Sequence, residues 1–262
     1  MNYLLLPTLI LGLIFLSVCG KKGNIADCDT GMAGSYCTEK TPEEKAEAAL
    51  NAGDVDTAIS TLEEALTADP NRYNALPLLS SAYAYKSGFD ILNVAKSSFE
   101  GGGGGSTFVD TMGAFLPDIT DLGTEEYQAR LDYMGKAVDA LARIPTSYLE
   151  SNTDIKSSTK FQETLYQSAF SVMYIRKFAV RDASDQSTVT AESLQSMTDE
   201  EADIIIDSLV QAAISSPDGE GQAMGAQVEA LLAEVDAQEG ESRRDRLIAY
   251  LGQQEGQSSP SP

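Results

Sequence analysis

The stretch that decides the fold is Thr41–Pro70, TPEEKAEAALNAGDVDTAISTLEEALTADP. Its opening Thr-Pro-Glu-Glu is a capping box with proline in the first helical turn, so a helix is predicted to begin there. Gly53 ends that helix, and Asp54 is placed to cap a second one, which the closing Asp-Pro ends. Apolar residues recur at helical spacing in the second helix, at Ala58, Ile59, Leu62, Ala65 and Leu66. The stretch is therefore predicted to form two antiparallel helices joined by a tight turn.

The segment Pro42–Tyr85 also carries the spacing of a structural repeat. Small, large and turn positions occur in order, and a second copy continues in register after Pro70. These positions are Ala46, Gly53, Ala58, Leu62, Ala65 and Pro70 in the first copy, and Leu79, Ser80 and Tyr83 in the second. The segment resembles a tetratricopeptide repeat (TPR), which implies an all-α fold built as a TPR-like stack of antiparallel helix hairpins.

Helical patterns continue over most of the remaining chain. Thr124 is expected to cap one helix, and Thr198 with Glu201 forms a second capping box. No sustained alternation of β-branched residues occurs, so strands are not expected. The five glycines Gly101–Gly105 forfeit too much backbone entropy for a regular element and are predicted to separate two helical blocks.

These patterns predict six segments. The first two are a signal segment at 1–18 and a tether with a possible disulfide loop at 19–40. The TPR-like hairpins occupy 41–100, and a flexible glycine-rich loop with a short amphipathic helix occupies 101–123. A second, repeat-like helical block covers 124–252, and 253–262 is predicted to be a disordered tail.

The N-terminal segment carries a targeting signal. An apolar run from Leu4 to Val18 ends at Cys19, and this run is typical of the core of a secretion signal. The residues LSVCG at 16–20 resemble the lipobox of bacterial lipoproteins. The resemblance implies cleavage before Cys19, with lipid on its thiol and α-amino group. Gly20 follows in place of an aspartate retention signal, so the resemblance also implies a location on the periplasmic face of the outer membrane. The alternative is an uncleaved N-terminal membrane anchor.

The other two cysteines form an even pair. With Cys19 assigned to the lipid by the resemblance, Cys28 and Cys37 lie in an oxidising compartment, and the glycines between them allow the chain to turn back. A disulfide is therefore predicted, and a loop this short is stabilised by roughly 2–3 kcal/mol through restriction of the unfolded chain. The alternative is a pair of free thiols.

Composition and motifs exclude several classes of function. The chain has 40 acidic and 18 basic residues, a net charge of −22 and no histidine. Such a charge repels phosphate, so nucleic-acid binding is not expected. The commonest general base and zinc ligand are missing, and no nucleotide loop or catalytic constellation is found. We therefore predict a protein without enzymatic activity, metal or cofactor.

Four side chains are candidates for a binding groove. Helical repeats bind their ligands along a concave face formed by the first helix of each pair. Asn74 and Tyr85 lie off the core stripe and are candidates to face such a groove, while Met112 and Phe115 are candidates to close over it as a lid. Core packing is the alternative for each of them.

Two functions follow from these observations. The first is a non-catalytic scaffold that binds a protein or peptide partner in an envelope complex, and the repeats favour it. The second is a lipoprotein that binds a small solute and passes it to a transporter component, which the glycine loop and short helix favour. A scaffold requires an open groove with exposed aromatic groups, whereas a receptor requires an enclosed apolar cavity with few polar groups.

Overall fold

The computed structural model describes residues 40–89, 108–113, 116–181, 187–216 and 222–257. The chain divides into a unit of Met1–Lys40 and a unit of Thr41–Pro262, and the helices given below belong to the second unit. Several sequence predictions fall outside the described residues: they concern Cys19, Cys28, Cys37, Phe115 and the glycines at 101–105.

Helices form almost all of the regular structure of the described residues. They are α1 (Pro42–Asn51), α2 (Val55–Ala68), α3 (Ala75–Lys86), α4 (Phe108–Gly113), α5 (Ile119–Leu122), α6 (Thr124–Ala142), α7 (Thr146–Ser151), α8 (Thr153–Arg176), α9 (Asp199–Ser215), α10 (Gln222–Asp236) and α11 (Arg243–Gln257). A short 3-10 helix covers Ser193–Ser196, and β1 (Val180–Arg181) pairs antiparallel with β2 (Ser187–Thr188). The predicted all-α fold is confirmed. Within the described ranges, no helix is both long and apolar enough to cross a membrane.

The first hairpin forms through the local signals in its sequence. The Thr41 hydroxyl accepts the backbone N–H of Glu44 at 3.2 Å, and the Glu44 carboxylate accepts the backbone N–H of Thr41 at 2.8 Å. Gly53 has a φ of 78°, a left-handed conformation that favours glycine and lets the chain turn. The Asp54 carboxylate then accepts the backbone N–H of Thr57 at 3.1 Å and starts α2.

The helices pack in chain order, with one insertion. Helix α1 packs on α2 and α2 on α3, but the next partner of α3 is α6. Ser80 of α3 contacts Ala137, whereas Lys86 lies over Tyr133 one turn earlier in α6, so these two helices are antiparallel. They form a second hairpin around an insertion that contains α4 and α5. The stack continues from α6 to α8, from α8 to α9, and from α9 to α10 and α11.

Two helix boundaries differ from the sequence prediction. Gly123, and not Thr124, occupies the cap position of α6, and Thr124 is its first helical residue. The cause is α5, which ends immediately before and leaves room for a single linking residue; Gly123 takes that place with a φ of 79°. Helix α11 extends beyond the predicted start of the tail at Gln253 and ends at Gln257, because Gln and Glu sustain a helix well.

The core consists of two clusters of buried side chains that meet at α8. One cluster draws on the helices from α1 to α8, and the other on the end of α8 and the helices that follow. Phe108 and Val109 of α4 and Tyr174 of α8 pack against both clusters. The short helix α4 therefore contributes to the packing of the core.

A pair of glycine substitutions tests the α3–α6 junction. Gly88 has a φ of +88°, and a Cβ there would lie 2.4 Å from Nη1 of Arg130. We expect Gly88→Ala to lower the free energy of unfolding by about 1–2 kcal/mol, because an L side chain is strained in this conformation. Gly135→Ala is the matched control. Gly135 lies inside α6, and a Cβ there would meet a ring carbon of Phe170 at 3.4 Å, which is an ordinary packing contact. It should raise the free energy of unfolding by about 0.5–1 kcal/mol. Denaturant unfolding measures both free-energy changes. Changes of the same sign would contradict the left-handed conformation of Gly88 at this junction.

Candidate functional site

A groove open to solvent lies between α2, α3 and α6 and has a volume of about 460 Å³. Its floor is formed by buried side chains from all three helices, Leu66, Leu79, Tyr83 and Ala140. Its rim is exposed, with polar or charged residues from α2 and α6: Glu63, Thr67, Lys136, Asp139 and Arg143. The groove thus combines an apolar and aromatic floor with charged walls.

The walls are held in place by α3, which lies beneath them. The Ser80 hydroxyl donates to the backbone carbonyl of Ala137 at 2.6 Å in a buried contact that fixes α6 against α3. On the other side, the fully buried Leu62 belongs to the same core cluster as the α3 residues Leu76 and Leu79. The small side chains of Ser80 and Ala137 let α3 and α6 approach closely, whereas leucine side chains fill the contact between α2 and α3.

Tyr83 makes most of the specific contacts on the groove floor. Its hydroxyl donates to the Glu63 carboxylate, and its ring stacks on Tyr133 with the centroids 6.2 Å apart. Burial of the phenol, together with its hydrogen bond to Glu63 and the charge of that residue, raises the pKa of Tyr83 well above its ordinary value. Tyr83 therefore stays protonated at neutral pH and holds the Glu63 side chain toward the floor.

Two lysines approach the aromatic pair, and they differ in their ionic partners. Lys136 Nζ lies 5.7 Å from the Tyr83 ring centroid and 5.0 Å from that of Tyr133. Lys86 Nζ lies 4.9 Å from the Tyr133 centroid and also forms an ion pair with Asp56. Contacts of this kind at exposed sites contribute about 0.5–1 kcal/mol each. They position the Lys136 ammonium group without neutralising its charge.

The two cations of the rim form no ion pair within the part of the chain that the structure describes. Most basic residues of the described ranges form ion pairs, for example Arg176 with Asp118 at 2.9 Å. Lys136 and Arg143 form none with any residue that the structure describes. The groove rim therefore carries two cations and two carboxylates, Glu63 and Asp139, that form no ion pairs with one another.

Helical geometry places these cations nearer to the floor than the acidic residue between them. At about 100° per residue, Lys136 and Arg143 lie roughly 40° and 60° around α6 from Ala140, which forms part of the floor. Asp139 lies about 100° from it on the same side. The α6 wall therefore has its two cations next to the floor and Asp139 beside them. The α2 wall contributes the Glu63 carboxylate, which keeps its negative charge while it accepts the hydrogen bond from Tyr83.

The candidate groove residues of the sequence analysis lie elsewhere. Asn74 is exposed at the start of α3, and its side-chain oxygen accepts a hydrogen bond from the Tyr148 hydroxyl. Tyr85 is 61% exposed, whereas Met112 is only 2% exposed and belongs to the core, because α4 packs against α8 and α10. None of these three residues lines the groove.

The residues that do line the groove were missed for two reasons. The repeat spacing indicates Tyr83 as a packing position, and its buried ring does pack, but its hydroxyl also reaches a carboxylate on the rim. The charged stripe Lys136, Asp139 and Arg143 has the spacing of one helical face beside the core positions of α6, which is a readable signal. The stripe becomes one wall of a groove only because α2 forms the opposite wall. The position of α2 relative to α6 results from the packing of α3 on α6, which are separated in sequence by the insertion.

The polar groups of the groove are one tyrosine hydroxyl on the floor and the side chains of the rim. The Tyr83 hydroxyl donates to the Glu63 carboxylate, and the exposed rim carries four charged side chains and the neutral Thr67. Among the residues that the structure describes, no group of three or more His, Cys, Asp or Glu side chains is placed to hold a metal ion. Comparison of the chain with protein-family models, curated proteins and solved structures gave no match.

Replacement of Tyr83 by Phe tests the protonation of the groove floor. Because the pKa of Tyr83 is raised in the folded state, its contribution to stability is present below the unfolded value of about 10 and is lost as pH rises above it. We expect the unfolding free energy of the wild type to fall more steeply above about pH 10 than that of Tyr83→Phe. Denaturant unfolding across this pH range measures the difference. Tyr85→Phe controls for the loss of an exposed phenol. If the unfolding free energy fell equally steeply with pH in the wild type and in Tyr83→Phe, the raised pKa of Tyr83 would be contradicted.

Proposed function

We propose that this protein is a non-catalytic, lipid-anchored scaffold of the bacterial envelope that binds a protein or peptide partner in the groove between α2, α3 and α6. The observation that carries the proposal is the form of the groove, which is open to solvent and has an apolar, aromatic floor with charged walls. An open groove between helices suits a polypeptide segment, which continues along the walls beyond the floor. The TPR-like spacing of Pro42–Tyr85 agrees with this reading.

The alternative is a lipoprotein that binds a small solute and hands it to a transporter component. The groove volume of about 460 Å³ is within the range of small-molecule sites. Such sites, however, enclose most of the surface of their ligand, and this groove leaves one side open. Its charged walls also favour a partner that carries its own charged groups. We therefore place the scaffold ahead of the receptor.

The anchor is proposed from the lipobox-like residues at 16–20, with Cys19 as the lipidated residue and Cys28–Cys37 as a disulfide in the tether. A net charge of −22 gives the chain no electrostatic attraction to anionic membrane surfaces. Two or more acyl chains on Cys19 supply a stable attachment without such attraction. The proposed location is the periplasmic face of the outer membrane.

Site-specific photocrosslinking tests the scaffold function. We expect a photoreactive residue at Thr67, on the exposed rim of the groove, to capture one envelope protein in stoichiometric yield in living cells. The same residue at Glu64, exposed on α2 but outside the groove, is the matched control and should capture far less. No protein adduct at Thr67, together with a small molecule that copurifies with the chain, would reject the scaffold in favour of the receptor.

Substitution of Cys19 tests the anchor. We expect Cys19→Ser to move the protein from the membrane fraction to the soluble periplasmic fraction, because the thiol that carries the lipid is gone. Cys28→Ser changes a cysteine outside the lipobox and should leave the protein in the membrane fraction. Cell fractionation with immunoblotting measures both variants. Retention of Cys19→Ser in the membrane fraction would instead indicate an uncleaved N-terminal anchor.

A further inference from the structure

We infer that the segment carrying α4 and α5 is a strap that opens and closes as a unit and, when closed, ties helices α9–α11 to the helices before them. The strap consists of α4 and of residues 116–122, which include α5. Such a motion does not depend on whether the groove between α2, α3 and α6 binds a partner. The strap is thus a conformational device built into the fold.

The insertion that contains the strap begins and ends close to left-handed glycines. Gly88 has a φ of 88° and Gly123 a φ of 79°, a backbone conformation that favours glycine. A Cβ on Gly88 would lie 3.6 Å from Cγ of Pro117, so the chain comes back to the start of the insertion before α5 begins. The hydrogen bond from Ser80 to Ala137, which joins α3 to α6, lies outside the insertion. The strap can therefore swing while α3 and α6 stay together.

Two arginines fasten the closed strap to the end of α8 and to β1. Nη2 of Arg176 donates to the Asp118 carboxylate at 2.9 Å. Arg181 donates to the Asp121 carboxylate at 2.7 Å and to the backbone carbonyl of Thr120 at 3.1 Å. The side chains of the Arg176–Asp118 pair are only 20% and 19% exposed, so salt screens this pair little. The Arg181–Asp121 pair is more exposed and contributes less to the closed state.

Arg176 holds both short helices of the strap. A Cβ on Gly113 would lie 2.3 Å from Nη1 of Arg176, so the guanidinium group lies directly against the end of α4. Through its ion pair with Asp118, the same group reaches the start of α5, because the Asp118 carboxylate accepts both the backbone N–H and the hydroxyl of Thr120 at 2.8 Å. Loss of this one ion pair therefore loosens the strap along most of its length.

The strap depends on these contacts because its helices are short. Helices of six and four residues are not stable by themselves. Met112 and Leu116 are buried, whereas Phe108 and Val109 are only partly buried. The latter two pack against both core clusters, which are otherwise formed by different helices on the two sides of α8. Opening of the strap removes few buried side chains from the core and breaks one link between the clusters, so it requires less free energy than unfolding.

Hydrogen exchange of the full-length protein, read by mass spectrometry, tests the strap. We expect the amides of α4 and α5 to exchange faster than those of α6 and α8. Their exchange should respond little to dilute urea, because opening of the strap exposes less surface than unfolding does. Asp118→Asn keeps a side-chain oxygen that caps α5 but removes the charge that pairs with Arg176. We expect this variant to accelerate exchange in the strap by about tenfold.

Arg243→Gln is the matched control, because it removes an arginine that pairs with Asp203 and Asp207 between α11 and α9. Its strap amides should exchange at the wild-type rate. Equal protection of the strap and of α8 in the wild type would overturn the inference, since the strap would then open only when the whole helical unit unfolds. Unchanged exchange in Asp118→Asn would overturn it as well. Asp121→Asn, in the more exposed pair, should accelerate strap exchange about two- to threefold and serves if Asp118→Asn does not fold.

Discussion

The burial of α3 on nearly every side is the constraint on which the rest of the structure depends. Its sequence, ALPLLSSAYAYK, is apolar or small on all faces, which is the pattern of a helix surrounded by others. Helices α1, α2, α6 and α8 all pack against it, and the Ser80 hydroxyl bonds the backbone of α6 directly. The groove forms where α2 and α6 lie on either side of α3 and the side chains of all three helices line one depression. Any change that shifts α3 therefore moves the floor and both walls together.

Local signals made much of the fold predictable from the sequence. The capping boxes at Thr41 and Thr198 and the cap at Asp54 each form within one helical turn, so neighbouring residues alone determine them. The pairing of α3 with α6 is different, because it joins segments separated by the insertion at 87–123. No local signal encodes that pairing, since it results from the burial of two faces distant in sequence. Gly123 shows the same limit on a smaller scale, because its role depends on where α5 ends.

The candidate site was less predictable because one residue serves two purposes. The Tyr83 ring occupies a packing position of the repeat, and the sequence pattern reports only that role. Its hydroxyl adds a contact to Glu63 that depends on the distance between α2 and α3, which packing sets. Asn74 and Tyr85 lie off the core stripe and are exposed, but exposure alone does not bring side chains together in one groove. The prediction that Met112 closes over a groove is wrong for the opposite reason, because the apolar face of α4 is buried in the core.

The charged side chains of the α6 wall remain without ion pairs among the described residues, and this lowers the stability of the fold very little. Asp139 is spaced to pair with Lys136 or Arg143 along the helix, yet neither pair forms among the described ion pairs. Such pairs on a helix surface contribute only about 0.2–0.5 kcal/mol, so leaving them unmade costs the folded protein little. The three charges of the α6 wall can therefore remain solvated separately, because an ion pair between exposed side chains on one helix would stabilise the fold only slightly.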